Sequence, residues 1–176
     1  LDPVSGRAVA DRYRELVPDG DVVFLDGIGH YPQLEDAAGG GRALLAFHDE
    51  PGMVGDMMDT ITHLVLGVLP RAAREAPISA VYFWEDMAYR GGPLISPAMV
   101  RQVMVPRYRL MTEAAREAGV EMCFVDSDGN TEQLIPLWLE SGIRGHYPME
   151  VAAGMDVRKL RDQYAQELLM TGGFDK

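Results

Sequence analysis

The sequence predicts an α/β fold in which parallel strands alternate with helices, arranged as a barrel or as a doubly wound sheet. From residue 80 onwards, short apolar runs rich in β-branched and aromatic residues alternate with longer stretches of helical periodicity. The apolar runs show little apolar–polar alternation, which indicates strands that are buried on both faces. A β-α-β order implies right-handed crossovers between strands that run in the same direction.

The composition narrows the class of protein. The chain has 176 residues, of which 47% are hydrophobic, enough to bury a core. Its 27 acidic residues outnumber its 16 Lys and Arg residues and give a net charge of −11, which argues against a nucleic-acid or anionic-membrane partner. The single cysteine, Cys123, leaves no disulfide framework, so we expect a reducing, cytoplasmic location.

The first 42 residues contain a predicted helix at 5–16, a strand at 21–26 and a loop that begins Gly-Ile-Gly-His-Tyr-Pro at residue 27. This segment resembles the carboxyl-terminal end of α/β-hydrolases, and the resemblance implies that His30 would be the general base of a triad. No Gly-x-Ser-x-Gly nucleophile motif occurs in the chain, so a triad cannot be assembled. We therefore expect His30 to be a loop histidine bonded to backbone.

A long helix is predicted over residues 51–76, where apolar residues recur at helical spacing and Pro70 should kink or break the helix. Its methionines are interpreted as core filling. The next predicted elements are a strand at 80–84, a Gly-Gly-Pro loop, and a helix that Ser96 caps with Pro97 in the first helical position. The remaining elements are a helix at 97–118 kinked at Pro106, strands at 121–125, 143–147 and 167–171, and helices at 130–141 and 156–166.

Acidic residues follow four successive predicted strands. They are Glu85, Asp86, Asp126, Asp128, Glu150 and Asp175. In parallel α/β folds the ligand site gathers at the carboxyl ends of the strands, so we expect these residues to share one rim. Converging carboxylates repel, and at least one should have a raised pKa or hold a cation or a basic substrate group.

The candidate site residues fall into two groups. The catalytic candidates are Glu85, Asp86, Asp126 and His146, and the substrate-binding candidates are Trp84, Tyr89, Asp128, Asn130, Tyr147, Glu150 and Asp175. His146 is interpreted as a proton donor, a metal ligand or a structural histidine. Asn130, with Gln133, and Asp156 are alternatively helix caps.

Several motifs carry a resemblance to a known family over residues 43–176. They are Phe-Trp-Glu-Asp at 83–86, Gly-Pro-Leu-Ile-Ser-Pro at 92–97, Asp-Ser-Asp-Gly-Asn at 126–130, Leu-Ile-Pro-Leu-Trp-Leu-Glu at 134–140, Tyr-Pro-Met-Glu at 147–150, Ala-Gly-Met-Asp at 153–156 and Gly-Gly-Phe-Asp at 172–175. In these motifs the chain resembles the uroporphyrinogen decarboxylase superfamily. The resemblance implies a (β/α)₈ TIM barrel with a cleft at the carboxyl ends of its strands.

The resemblance implies a cofactor-free decarboxylation of a tetrapyrrole-type or related small-molecule substrate, with Asp86 in the substrate cleft. The superfamily also contains corrinoid-linked methyltransferases, which carry His-x-Cys-Gly where this chain has Asp126 to Gly129. Carboxylates suit a harder cation than zinc or none. The alternative is therefore a methyltransferase with a corrinoid or thiol partner and a divalent metal on Asp126, Asp128 and Glu150.

A complete barrel of this type needs about 250 residues, so we expect a partial barrel over residues 43–176 that is incomplete at both ends. The amino-terminal segment before it, residues 1–42, is α/β-hydrolase-like, and the sequence leaves its origin open. A further alternative is a non-catalytic fragment. Unpaired sheet edges in such a fragment would favour self-association.

Overall fold

The computed structural model describes residues 37–175, and the chain divides into two compact units between Pro51 and Gly52. In the first unit the described part is helix α1 (Ala37–Asp49). The predicted boundary between residues 42 and 43 falls inside this helix. The predicted helix at 5–16, the strand at 21–26 and His30 lie outside the described residues.

The second unit alternates helices with strands. Its elements are α2 (Pro51–Glu75, begun one residue before the unit), β1 (Ala80–Trp84), β2 (Ala88–Tyr89), β3 (Gly92–Pro93), α3 (Pro97–Val103), α4 (Val105–Glu117), β4 (Met122–Asp126), α5 (Ile135–Glu140), β5 (Gly145–Tyr147), a 3₁₀ turn (Val151–Ala153), α6 (Val157–Tyr164) and β6 (Leu169–Met170). Strands β1, β4, β5 and β6 form one sheet in that order, and each strand is parallel to its neighbours. The predicted α/β fold with parallel strands is confirmed.

One face of this sheet packs against helices. Phe83 of β1 meets Tyr108 of α4 edge to face at a ring separation of 5.5 Å. On β5, His146 stacks on Trp138 of α5 at 5.1 Å. Between them Val125 of β4 is fully buried. These contacts explain why the strands are apolar and why α4 and α5 carry buried aromatic residues.

The other face of the sheet is open. Tyr82 and Trp84 of β1 are exposed, while Phe124 of β4 is buried because Tyr82 stacks on it at 5.1 Å. Gly145, beside Phe124 in the register, has no side chain because a Cβ there would lie 2.0 Å from the Phe124 ring. We call the surface formed by Tyr82, Trp84, Phe124 and Tyr147 the open face.

The start of α3 agrees with the sequence prediction, and the predicted helix at 97–118 is divided in two. Ser96 caps α3 by accepting a hydrogen bond from the Met99 backbone, and Pro97 follows it. The division falls at Met104, two residues before Pro106. Proline has no N–H to continue the helical hydrogen bonds, and its ring clashes with the backbone of the preceding turn.

Two predictions for local structure were wrong. The predicted Gly-Gly-Pro loop contains a two-stranded antiparallel hairpin, β2–β3, whose two-residue strands are too short to show a periodic pattern. The predicted helix at 130–141 begins only at Ile135, and Asn130 does not cap it. Asp156, in contrast, caps α6 as predicted by accepting from the Arg158 and Lys159 backbone.

Helix α2 runs through Pro70 to Glu75, so of the two predicted effects of Pro70, a kink or a break, the break does not occur. One side of α2 is buried through Val54, Thr62 and Leu69. The core-filling interpretation was wrong for Met53 and Met57, which are exposed, and three further apolar residues of α2 are exposed as well: Ile61, Leu64 and Val68. Apolar residues occupy too wide an arc of α2 to pack on one side. No helix between residues 37 and 175 is long and apolar enough to cross a membrane.

Candidate active site

The strand register brings the ends of β1, β4 and β5 to one edge of the sheet. Trp84 pairs with Asp126, and Asp126 pairs with Tyr147. The Glu85 N–H donates to the Asp126 carbonyl at 2.8 Å, and the Ser127 N–H donates to the Tyr147 carbonyl at 3.0 Å. The ladder therefore continues past the strands, and the residues that follow them occupy a common rim.

Three aspartates come together at this rim, and we call Asp86, Asp126 and Asp128 the Asp cluster. Burial and the charge of Asp128 both raise the pKa of Asp86. Burial also raises the pKa of Asp126, with further contributions from Asp128 and Asp86, against the lowering effect of a Tyr147 hydrogen bond. The three carboxylates repel one another, which favours a shared proton or a positively charged or N–H-bearing ligand.

Tyr147 connects the Asp cluster to the open face. Its phenol is hydrogen-bonded to the Asp126 carboxylate, and burial together with this carboxylate raises the Tyr147 pKa. Its ring also meets Tyr82 edge to face at 5.8 Å. Tyr82 and Trp84 are two residues apart on β1 and therefore face the same side of the sheet, and Trp84 pairs with Asp126 of β4. The aromatic surface and the carboxylates therefore lie side by side.

Glu150 shapes the loop after β4. Its carboxylate accepts a hydrogen bond of 2.7 Å from the Gly129 N–H. Gly129 has a φ of +85°, and a Cβ there would lie 2.6 Å from the Ala88 carbonyl, so this position requires glycine. The Ser127 hydroxyl accepts from the Met87 N–H. Together these bonds fix the β4 loop against the segment after β1.

Asn130 ties three segments together. Its N–H donates to the Tyr89 carbonyl at 3.0 Å, its amide nitrogen donates to the Ala153 carbonyl at 3.2 Å, and its amide oxygen accepts from the Glu132 N–H. It thus holds the hairpin and the 3₁₀ turn beside the rim. The sequence predicted Asn130 as a capping candidate, but Tyr89 and Ala153 are distant in the chain and no local pattern reveals them.

Glu85 points towards the helices, away from the Asp cluster. Burial raises its pKa to about 7, with Asp86 adding to the rise and the neighbouring Tyr108 hydroxyl partly offsetting it. The Tyr108 hydroxyl and the Trp138 indole nitrogen are both buried without a hydrogen-bond partner of standard geometry. A polar pair, Glu85 and Tyr108, therefore lies behind the sheet.

His146 is also placed behind the sheet. It is fully buried, its two ring nitrogens contact the Thr131 hydroxyl and the Met149 sulfur at 3.3 Å each, and Trp138 stacks on it. Burial lowers the pKa of His146 to about 4. The imidazole is therefore neutral at pH 7, and the structure does not bring it to the Asp cluster.

The remaining candidates lie on exposed positions around the rim. Trp84 is 71% exposed and Tyr89 is 59% exposed. Asp175 is exposed two residues beyond Gly173, whose N–H donates to the Pro148 carbonyl at 3.0 Å. Tyr108 and Trp138, the buried neighbours of Glu85 and His146, were not among the predicted site residues, because no sequence pattern pairs them with those two residues.

The alternative metal set was Asp126, Asp128 and Glu150. Within residues 37–175 no group of three or more His, Cys, Asp and Glu side chains is arranged to hold a metal ion. The Glu150 carboxylate is bonded to the Gly129 N–H, which does not favour its use as a third ligand. Both the cofactor-free reaction and the metal alternative stay predictions.

The arrangement supports proton transfer next to a flat ligand. A carboxyl group with a raised pKa retains its proton at higher pH and can donate it, and its ionised neighbours can accept hydrogen bonds from N–H groups. Aromatic rings on the open face offer a surface on which a planar apolar ligand can pack.

Comparisons of the chain with protein-family models, with curated proteins and with solved structures found no match. The resemblance to the uroporphyrinogen decarboxylase superfamily, with the activity and site residues that it implies, stays a prediction.

Proposed function

We propose that residues 43–176 belong to a uroporphyrinogen decarboxylase-like (β/α)₈ barrel that acts without a cofactor on a tetrapyrrole-type substrate. The observation that carries the proposal is the Asp cluster beside the open face at the carboxyl ends of parallel strands. Two of the motifs that resemble the superfamily, residues 83–86 and 126–130, supply the aspartates of the cluster.

The sheet is compatible with part of a barrel. Its four parallel strands pair in chain order, and helices cover the face that bears Phe83 and His146. In a (β/α)₈ barrel the helices form the outer layer and the opposite face lines the interior. On this proposal the open face, with Tyr82 and Phe124, is the barrel interior beneath the substrate.

The proposed chemistry is proton-assisted loss of an acetate carboxylate. A carboxyl group of the Asp cluster, Asp86 or Asp126, protonates or holds the pyrrole that bears the acetate. The bond to the carboxylate then breaks, its electron pair moves into the protonated pyrrole, and carbon dioxide leaves. A second proton is added to the side-chain carbon, which becomes a methyl group, and the first proton returns from the ring to the Asp carboxylate, so that the pyrrole is restored and one proton is consumed in all. The raised pKa values of Asp86 and Asp126 support a role for one of them as the acid.

The test measures binding and turnover separately. Uroporphyrin binding to the full chain would be followed by porphyrin fluorescence, and uroporphyrinogen decarboxylation under anaerobic conditions by chromatography of the products. We expect Asp126→Asn to weaken binding about tenfold, equivalent to ~1.4 kcal/mol, and Asp162→Asn on the exposed side of α6 to leave binding unchanged. Equal affinity of the wild type and Asp126→Asn would overturn the proposal, and tight binding without turnover would favour the non-catalytic fragment.

Further expectations concern the kind of substrate, the cellular location and self-association. We propose a small-molecule substrate and a cytoplasmic location, the latter supported by the buried free thiol of Cys123. Self-association through sheet edges is supported by β1, which pairs with β4 on one side and lies at the edge of the sheet within the described residues.

A further inference from the structure

Two polar atoms lie unpaired in the layer between the sheet and its helices. The Tyr108 hydroxyl of α4 and the Trp138 indole nitrogen of α5 are buried, and neither has a hydrogen-bond partner of standard geometry. The other buried polar side chains within residues 37–175 all have one; they are Thr62, Thr112, Ser127, Thr131, Ser141 and His146. Buried N–H and O–H groups are almost always bonded, so two unpaired groups in one layer point to a bound molecule.

These two groups and the Glu85 carboxyl lie together, and we call Glu85, Tyr108 and Trp138 the polar trio. The Tyr108 hydroxyl neighbours both the Glu85 carboxyl, directly after β1, and the Trp138 indole. Ring contacts hold the two aromatic side chains in place: Phe83 meets Tyr108 edge to face at 5.5 Å, and His146 stacks on Trp138 at 5.1 Å. Rings held in this way cannot turn freely towards one another to form direct hydrogen bonds.

The chemistry of the polar trio selects the molecule that it can bind. The indole N–H only donates, which disfavours a cation, and the ionised Glu85 carboxylate disfavours an anion. Tyr108 and Trp138 are each 2% exposed, so the molecule is small. A water molecule can accept from the indole and donate to the carboxylate while it bonds the phenol. Three partners are the usual number for a buried water.

We propose that the polar trio binds one water molecule between the sheet and helices α4 and α5, with hydrogen bonds to the Glu85 carboxyl, the Tyr108 hydroxyl and the Trp138 indole N–H. This site lies behind the sheet, apart from the Asp cluster and the open face, and it does not depend on the proposed enzymatic activity. The water pairs both of the unpaired atoms. It also gives the ionised Glu85 carboxylate a hydrogen-bond donor in a layer where burial disfavours its charge.

The first experiment is a high-resolution crystal structure of the full chain at pH 8. We expect a water peak about 2.7–3.2 Å from a Glu85 carboxyl oxygen, the Tyr108 hydroxyl and the Trp138 indole nitrogen. A direct hydrogen bond between the Tyr108 hydroxyl and the Trp138 indole, with no water peak beside them, would overturn the proposal. So would density in which both atoms stay unpaired.

A second experiment tests the site in solution by NMR. The chain has two tryptophans, so Trp84→Phe assigns the Trp138 indole proton. At pH 8, above the Glu85 pKa of about 7, we expect a rotating-frame Overhauser cross-peak between this proton and water. Tyr108→Phe is the control, because it removes the phenol proton, which could give the same signal by exchange with solvent, and leaves the water two partners. A cross-peak that is absent from the wild type, or lost in Tyr108→Phe, would contradict a bound water.

Discussion

At the residue scale, Glu85 and Asp86 show how neighbouring carboxyl groups acquire different roles. Successive side chains of extended backbone point to opposite faces of a sheet. Glu85 therefore enters the helix layer beside Tyr108, where burial raises its pKa to about 7, while Asp86 joins Asp128 at the rim. The sequence predicted that both follow β1 but placed both in the cleft, because the exact end of a strand decides which side chain faces which layer.

The raised pKa of Glu85 predicts that the protein loses stability to unfolding as the pH rises. Because the folded-state pKa lies above the unfolded value, the folded state binds more protons between pH 4.5 and about 7, and stability contributed by Glu85 falls as pH rises through that window. At pH 8 the free energy of unfolding of Glu85→Gln, measured by urea denaturation, should therefore exceed that of the wild type by ~1–3 kcal/mol. The difference should vanish near pH 4. A constant difference across this range would contradict the assignment.

Gly129 gives a second residue-scale prediction, with Gly119 as its matched control. Both have a positive φ, +85° and +84°, but a Cβ on Gly129 would lie 2.6 Å from Ala88 backbone whereas nothing lies within 4 Å of Gly119. Each alanine substitution costs about 1 kcal/mol of backbone strain. We expect Gly129→Ala to cost at least ~1 kcal/mol more, measured by urea unfolding. Equal losses would mean that the β4 loop is free to move.

At the scale of elements, helix starts that depend on local geometry were predictable and those that depend on tertiary partners were not. Ser96 and Asp156 cap α3 and α6 through backbone groups two or three residues away. Asn130 also carries a side-chain oxygen, but this oxygen accepts from the Glu132 N–H ahead of α5, and the amide nitrogen donates to the Ala153 carbonyl of another segment. The apolar pattern of α2 likewise predicted a helix of nearly the right length without showing which residues face solvent.

The cap of α6 can be tested directly. Asp156→Ala should destabilise the protein by about 1 kcal/mol, because the Arg158 and Lys159 N–H groups lose their acceptor. Asp162→Ala removes an exposed aspartate from the same helix without removing a cap and should change the unfolding free energy by less than ~0.5 kcal/mol. Thermal or urea unfolding of both variants measures the difference; a larger effect at Asp162 would be inconsistent with the cap.

At the scale of the whole molecule, the order of strands and helices predicted that acids would share a rim, and part of that set does so. Parallel strands in register require the ends of β1 and β4 to be neighbours, which brings the Asp cluster together. The same argument could not predict that Glu150 would bond the Gly129 N–H or that His146 would be sealed behind Trp138. Those outcomes depend on loop conformation and on side-chain packing between layers, which periodicity does not encode.

The most direct test of the account is an NMR titration of the aspartate side-chain carboxyls in the wild type and in Asp128→Asn. If the Asp cluster exists, removing the Asp128 charge lowers the pKa values of both Asp86 and Asp126, because that charge contributes to raising each of them. Asp162→Asn serves as the control and should leave both unchanged. Titration curves for Asp86 and Asp126 that are the same in Asp128→Asn as in the wild type would show that the three carboxylates do not converge, and would remove the basis for the proposed site.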